Sequence, residues 1–140
     1  MSVLTDVGMV AIPWSAALDV QLVSSGDGVA SMRMPWRADL SDQAGAVATG
    51  AVVSLVDHAC GAAVMSRLSR PLLISTLNLK VDHVRRPEAG CRVTVWSHCY
   101  SLTESRAFVR AEVWDRDPSD ILAAAQGVFS INRPIANEHG

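Results

Sequence analysis

The sequence predicts an α+β domain: a curved antiparallel sheet of about six strands wrapped around one long buried helix. Two observations carry that expectation. Six segments, from "LDVQLVSS" and "VASMRMPW" through "LLISTLNLKVDHV", "CRVTVWSHCYSLT", "SRAFVRAEVWDRD" and "ILAAAQGVFSINR", have the alternation of strands that bury one face. The stretch from Ala46 to about Leu68 is different. Val47, Val52, Val53, Leu55, Val56, Ala59, Ala62, Ala63 and Val64 cover nearly every face of a helix, so that helix has protein on all sides. A sheet that must bury such a helix curls around it.

Taken in order, "GDG" at 26–28 closes a hairpin between the first two strands. Ala30, Met32, Met34 and Trp36 share one parity of the second strand, and Val29, Ser31, Arg33 and Pro35 the other. "RADLSDQAG" is a polar loop leading into the helix. After Pro71, four strands separated by "RRPEAG", "TE" and "DPSD" read as a meander. The chain shows no internal repeat or linker, so residues 1–140 form one domain with a core of about 12–132, and "PIANEHG" frays. One sheet face remains uncovered, which predicts a homodimer or a dimer of dimers.

Composition narrows the function classes. The chain has 49% hydrophobic and 19% charged residues, a net charge of -2 and a pI near 6.0. No basic run extends beyond Arg85-Arg86, so nucleic acid is not an expected partner. Asp6 and Pro13 do not suit a signal peptide, which points to the cytoplasm. A membrane span is disfavoured because Asp57 and His58 sit in the middle of the apolar helix. Cys60, Cys91 and Cys99 form no CxxC pair and read as reduced thiols. His58, Cys60, His83 and His98 lack metal-ligand spacing, so no metal is expected.

Asp57 is the residue that needs explaining. A carboxylate among apolar residues is costly to bury unless it is paired or used, and only Ser54 and His58 are near it on its own helix. Adjacent helix residues point about 100° apart and GxSxG is absent, so a Ser54–His58–Asp57 triad is disfavoured.

The element order, together with "GDGVASMRMPW", "TGAVVSLVDHACGAAV" and "STLNLKVDHVRRPEAG", resembles the hotdog-fold acyl-CoA thioesterases of the PaaI-like, phenylacetate-pathway type over roughly residues 12–132. In that family the helix starts with His-Gly-Gly, and a carboxylate follows seven residues after the second Gly. Here Ala48-Thr49-Gly50 stands at the start and Asp57 at the carboxylate position. The resemblance implies thioester hydrolysis, with coenzyme A as part of the substrate and no separate cofactor. Asp57 is then the base or nucleophile, and the N–H groups of Thr49 and Gly50 stabilise the oxyanion. Asp57 lies about 12 Å along the helix from Thr49, so the site is shared between two subunits.

The same alignment puts the hydroxyl that holds the water or carboxylate at Thr76, or at Ser75 if the register slips by one. The family's amide before the helix aligns with Asp42, where a carboxylate would repel an oxyanion. Gln43 supplies the amide if the loop shifts, leaving Asp42 as a solvated loop residue or cap. Arg85 and Arg86 either meet coenzyme A phosphates or form a solvated basic turn. Arg67 and Arg70 suit the helix C-terminus on dipole grounds alone. The alternative function is a non-catalytic acyl-thioester binding or sensing module that kept the fold and lost the His-Gly-Gly start.

Overall fold

The structure is a computed structural model and describes residues 18–132. Asp6, Pro13, the first residues of the expected core and the tail "PIANEHG" lie outside the described residues. Strands β1 (Gln21–Gly26) and β2 (Val29–Met34) form the expected hairpin. Its two turn residues, Asp27 and Gly28, have φ of 53° and 83°. Two successive positive φ values define the tight turn whose twist matches that of the strands. Gly28 also donates its N–H to Ser66 Oγ at 2.8 Å, and its carbonyl accepts the Cys99 N–H at 2.7 Å. A Cβ there would lie 2.7 Å from Cδ of Arg67. The hairpin tip, the end of the helix and β4 therefore meet at a residue that must have no side chain.

A short 3₁₀ turn, Ala38–Leu40, leads into the loop before helix α1 (Thr49–Arg67). The helix starts later than the hydrophobic pattern predicts, because backbone pairing holds the preceding residues extended. Ser41 and Val47 form a bridge, and the Ala48 N–H donates to the Leu40 carbonyl at 2.9 Å. Ala46 and Val47 are buried all the same, as part of this loop. From Ala51 to Met65 the helix is buried on most sides, with Leu55, Val56 and Val64 fully enclosed. By length and composition α1 could cross a membrane, but its apolar surface is spent on the sheet and 67% of that span is buried inside the protein.

Strands β3 (Leu73–His83), β4 (Val93–Leu102), β5 (Arg106–Trp114) and β6 (Ala123–Asn132) fall within the predicted segments. Their order corrects the expected meander. The six-stranded antiparallel sheet runs β1-β2-β4-β5-β6-β3, so only β4 to β6 are sequential neighbours after the helix. Helix α1 is the crossover that takes the chain from β2 to β3 on the far edge, and residues 84–92 carry it back to β4 beside β2. Alternation specifies which face a strand buries and is silent about which strand lies next to it, so local patterning could not reveal this step.

The helix packs mainly over β2 and β4 and only lightly over β3 and β6. The inward side chains of β3, Ile74, Leu79 and Val81, are in consequence only partly covered. One residue of β3 is extra. The register with β6 shifts between Thr76, which faces Phe129, and Asn78, which faces Val128. This bulge at Leu77 keeps both Thr76 and Leu79 on the helix side of the sheet, although they are an odd number of residues apart.

Replacing Gly28 by Ala should lower stability by about 1–2 kcal/mol, from the left-handed backbone alone, with a further loss from the crowding against Arg67. Urea unfolding monitored by tryptophan fluorescence checks this, and an unchanged midpoint would contradict the three-way junction.

Candidate active site

Asp57 projects from the middle of α1 toward β3 and is half-buried. Thr76 Oγ1 donates to Asp57 Oδ1 at 2.8 Å across that gap. This bond engages one carboxylate oxygen and leaves the second to accept a proton from water or substrate. The bulge at Leu77 decides which hydroxyl of the strand faces the helix. Thr76 pairs with buried Phe129 on the inner face, whereas Ser75 pairs with Ser130 and points to the outer one.

The start of α1 has the electrostatic character the oxyanion role requires. Its N-cap, Ala48, has no side-chain acceptor, and no acidic residue occupies the first turn. The N–H groups of Thr49 and Gly50 meet no acceptor among the described residues and are exposed. These are the orphan donors that a helix leaves at its N-terminus, where the dipole favours negative charge. Gln43 lies exposed in the preceding loop and bonds to no described residue. Asp42 is occupied: its carboxylate accepts the N–H groups of Ala44 at 2.8 Å and Ala46 at 3.2 Å and pairs with Arg86. Asp42 does not cap α1, whose N-cap is Ala48, and its bonds lie within the loop and to Arg86.

Arg85 and Arg86 diverge. The guanidinium of Arg85 is spent on both carboxylate oxygens of Asp115, on the side chain and carbonyl of Asp120, and on the Arg86 carbonyl, five bonds for its five N–H donors. All five N–H donors of Arg85 are thus engaged within the chain. Arg86 is 67% exposed beside Asp42. Sequence reasoning missed Asp115, whose side chain is 1% exposed and which also accepts the Glu88 N–H at 2.9 Å and the Arg116 N–H at 2.8 Å. Its signal, an acid at a strand end, is shared by Asp82, Asp117 and Asp120.

The competing chemistries have no support in this geometry. His58 Nδ1 lies 2.8 Å from the Ser54 carbonyl, and Ser54 Oγ donates to the Gly50 carbonyl at 3.0 Å, so the two side chains do not form a triad with Asp57. Burial, with Asp57 and Cys99 nearby, pushes the Cys60 thiol far above its ordinary range, which makes it inert as a nucleophile. The three cysteines are free, and no metal-binding cluster occurs among the described residues. A cleft of about 650 Å³ lies on the outer sheet face between Lys80, Trp96, Arg110 and Glu112 and contains none of the candidate catalytic residues.

A family model of the thioesterase superfamily matches residues 44–121, more than half the chain and including α1 and Thr76. The chain belongs to the thioesterase superfamily. No curated protein matches the sequence. Among solved structures, a conserved protein of Pseudomonas aeruginosa shares 29% identity at a TM-score of 0.81, over 91% of this chain and 98% of that one. A mutant of the phenylacetic acid degradation protein PaaI from Thermus thermophilus shares 25% identity at a TM-score of 0.75, over 85% and 98% of the two chains. The PaaI protein of the E. coli phenylacetic acid degradation operon has the same fold at 19% identity and a TM-score of 0.77, over 87% and 86%. The expectation of a PaaI-like hotdog protein is therefore met.

Within this thioesterase fold the Arg85–Asp115 pair braces the return from β3 to β4. Arg85 and the N–H groups of Glu88 and Arg116 hold the Asp115 carboxyl well below the usual range, against the cost of desolvation. A lowered folded pKa stabilises the protein above the ordinary carboxylate value of about 4, and that stabilisation is lost as pH falls through the folded pKa. Asp115→Asn should therefore destabilise the protein at pH 7 by about 3 kcal/mol. The gap from the parent should narrow below about pH 4. Urea titrations of both proteins from pH 7 to pH 3 test this, and a gap that stays constant or widens in acid contradicts it.

Proposed function

We propose that this thioesterase hydrolyses an acyl-coenzyme A thioester to free acid and coenzyme A, with Asp57 as general base or nucleophile. The observation that carries the reading is the bond from Thr76 Oγ1 to Asp57 Oδ1 at 2.8 Å. It turns a carboxylate on an otherwise apolar helix into an oriented group with one oxygen engaged and one left for chemistry. As base, Asp57 takes a proton from water while the oxygen of that water bonds to the thioester carbon. The C–S bond then breaks, and the coenzyme A thiolate leaves with the proton that Asp57 had accepted. As nucleophile, Asp57 attacks the thioester carbon, the C–S bond breaks and the coenzyme A thiolate leaves, and water then cleaves the mixed anhydride to the acid and the Asp57 carboxylate, giving a proton to the thiolate. In both cases negative charge collects on the carbonyl oxygen, and the Thr49 and Gly50 N–H groups suit it, with the Gln43 amide within the same loop region.

One chain does not bring these parts together. Asp57 lies eight positions along the helix from Thr49, about 12 Å at 1.5 Å per residue. The free edge of β3, its exposed Leu73 and Leu77, and its lightly covered inner face favour a twofold partner along that edge. In such a homodimer, or a dimer of dimers, the helix start of one subunit faces Asp57 of the partner subunit. The non-catalytic binding or sensing reading rests on Ala48 standing where the family has His, and an acyl-CoA panel read by free-thiol release separates the two.

Asp57→Asn keeps the size and removes the charge, so turnover should fall by roughly 100-fold or more with folding intact. Near-parental turnover in a folded Asp57→Asn protein would overturn the carboxylate's role. Mixing Asp57→Asn chains with Gly50→Pro chains, which lack the N–H at position 50, should restore about one working site per heterodimer from two inactive parents. An inactive mixture with heterodimers demonstrated by mass spectrometry would overturn the shared site.

A further inference from the structure

The loop in front of α1 is organised by one carboxylate. Asp42 Oδ1 accepts the N–H groups of Ala44 and Ala46, and the Asp42 N–H donates to the Ala46 carbonyl at 2.7 Å. The other oxygen, Oδ2, receives the Arg86 guanidinium. A second contact from the same return segment is parallel to it, since the Gly90 N–H donates to the Gly45 carbonyl at 3.0 Å. The segment is anchored at its own origin by Arg85 on Asp115 and Asp120. Neighbouring arginines thus reach in two directions: Arg85 grips the β5–β6 connection, and Arg86 grips the loop that delivers the helix start.

This arrangement gives Asp42 a role that neither crowds an oxyanion nor leaves it idle in solvent. Desolvation opposes its charge, yet the Ala46 and Ala44 N–H groups and the Arg86 guanidinium together keep the carboxyl below its ordinary range. Its charge is directed into the loop and toward Arg86. The chain leaves that loop through Ala48, bonded to Leu40, and the next two N–H groups are those of Thr49 and Gly50.

We propose that Asp42 and Arg86 are a positioning pair, which fixes the loop from 42 to 48 and so sets where the Thr49 and Gly50 N–H groups stand relative to the thioester carbonyl. The inference rests on the function proposed above. Arg86 acts through Asp42 and does not hold the nucleotide of coenzyme A. A small displacement of oxyanion donors is costly, because their contribution depends on geometry at the scale of an ångström.

The test compares an acyl-CoA that the parent hydrolyses with the matching acyl-pantetheine, which lacks the nucleotide phosphates. Arg86→Met should lower kcat about 10-fold on both substrates and leave both KM values unchanged. Arg86→Lys should recover most of that loss. Asp42→Asn keeps Oδ1 for the two N–H groups and loses the pair, so it should match Arg86→Met, and the double variant should be no slower than either single one. A KM increase confined to the acyl-CoA overturns the proposal in favour of phosphate binding. Faster turnover in Asp42→Asn overturns it in favour of a crowded oxyanion. Hydrogen exchange reads the loop without any substrate: protection of the Ala44 and Ala46 N–H groups should fall about 10-fold in Arg86→Met. Unchanged protection overturns the anchor, whereas lost protection in Arg86→Met, together with a parent that hydrolyses no thioester, upholds the anchor and removes the proposed function instead.

Discussion

How closely a helix can approach a sheet governs this structure. The small residues Ala59, Cys60, Ala62 and Ala63 of α1 are fully enclosed beside Leu55, Val56 and Val64, and the helix packs mainly on β2 and β4. The approach is close enough for one hydroxyl to touch both layers. Ser97 Oγ on β4 lies 2.8 Å from the Ala59 carbonyl of the helix and 2.9 Å from the Ala30 carbonyl of β2. Its single proton is shared between a helical and a strand carbonyl in a fully buried position. A larger side chain at Ala59 would force the layers apart at a cost of about 1–3 kcal/mol, and Asp57, two residues earlier, would move with them. The gap that Thr76 bridges is therefore set by packing on the opposite side of the helix.

Three carboxylates illustrate how identical side chains acquire different roles. An ionised carboxylate can accept about four hydrogen bonds. Asp115 receives four, two from Arg85 and one each from the Glu88 and Arg116 N–H groups, and is saturated. Asp42 receives three. Asp57 receives one, from Thr76. Capacity left over is what distinguishes a group that can take part in a reaction from one that holds the chain together, and it is invisible in sequence.

Much of the architecture was nevertheless legible. The all-round apolar helix, the GDG turn and the six alternating segments are local patterns, and each element forms where its pattern lies. The candidate site was legible only through the family resemblance, which picks out Thr49, Gly50 and Asp57 on one helix and Thr76 on the following strand. What escaped was non-local. The position of β3 beyond β6 depends on pairings between distant segments. The extra residue at Leu77 decides whether Thr76 or Ser75 faces the helix, and its neighbours carry no glycine or proline to announce a bulge. Arg85 and Arg86 look alike in sequence and differ because their acid partners come from elements far apart in the chain.

The position of β3 also has a consequence for the order in which the molecule is made. Among the described residues its one neighbour in the sheet is β6, the last strand of that set. As the polypeptide emerges from a ribosome, the hairpin and α1 appear early, and β4 can join β2 once the return segment is complete. Strand β3 is synthesised before β4 but has nothing to pair with until β6 arrives, and closing that long loop is the slow kind of contact. Thr76 is therefore fixed opposite Asp57 only through a pairing that the later part of the chain supplies. The hydrogen bond on which the proposed chemistry rests joins two residues close in sequence, yet it depends on a strand partner that lies far beyond both.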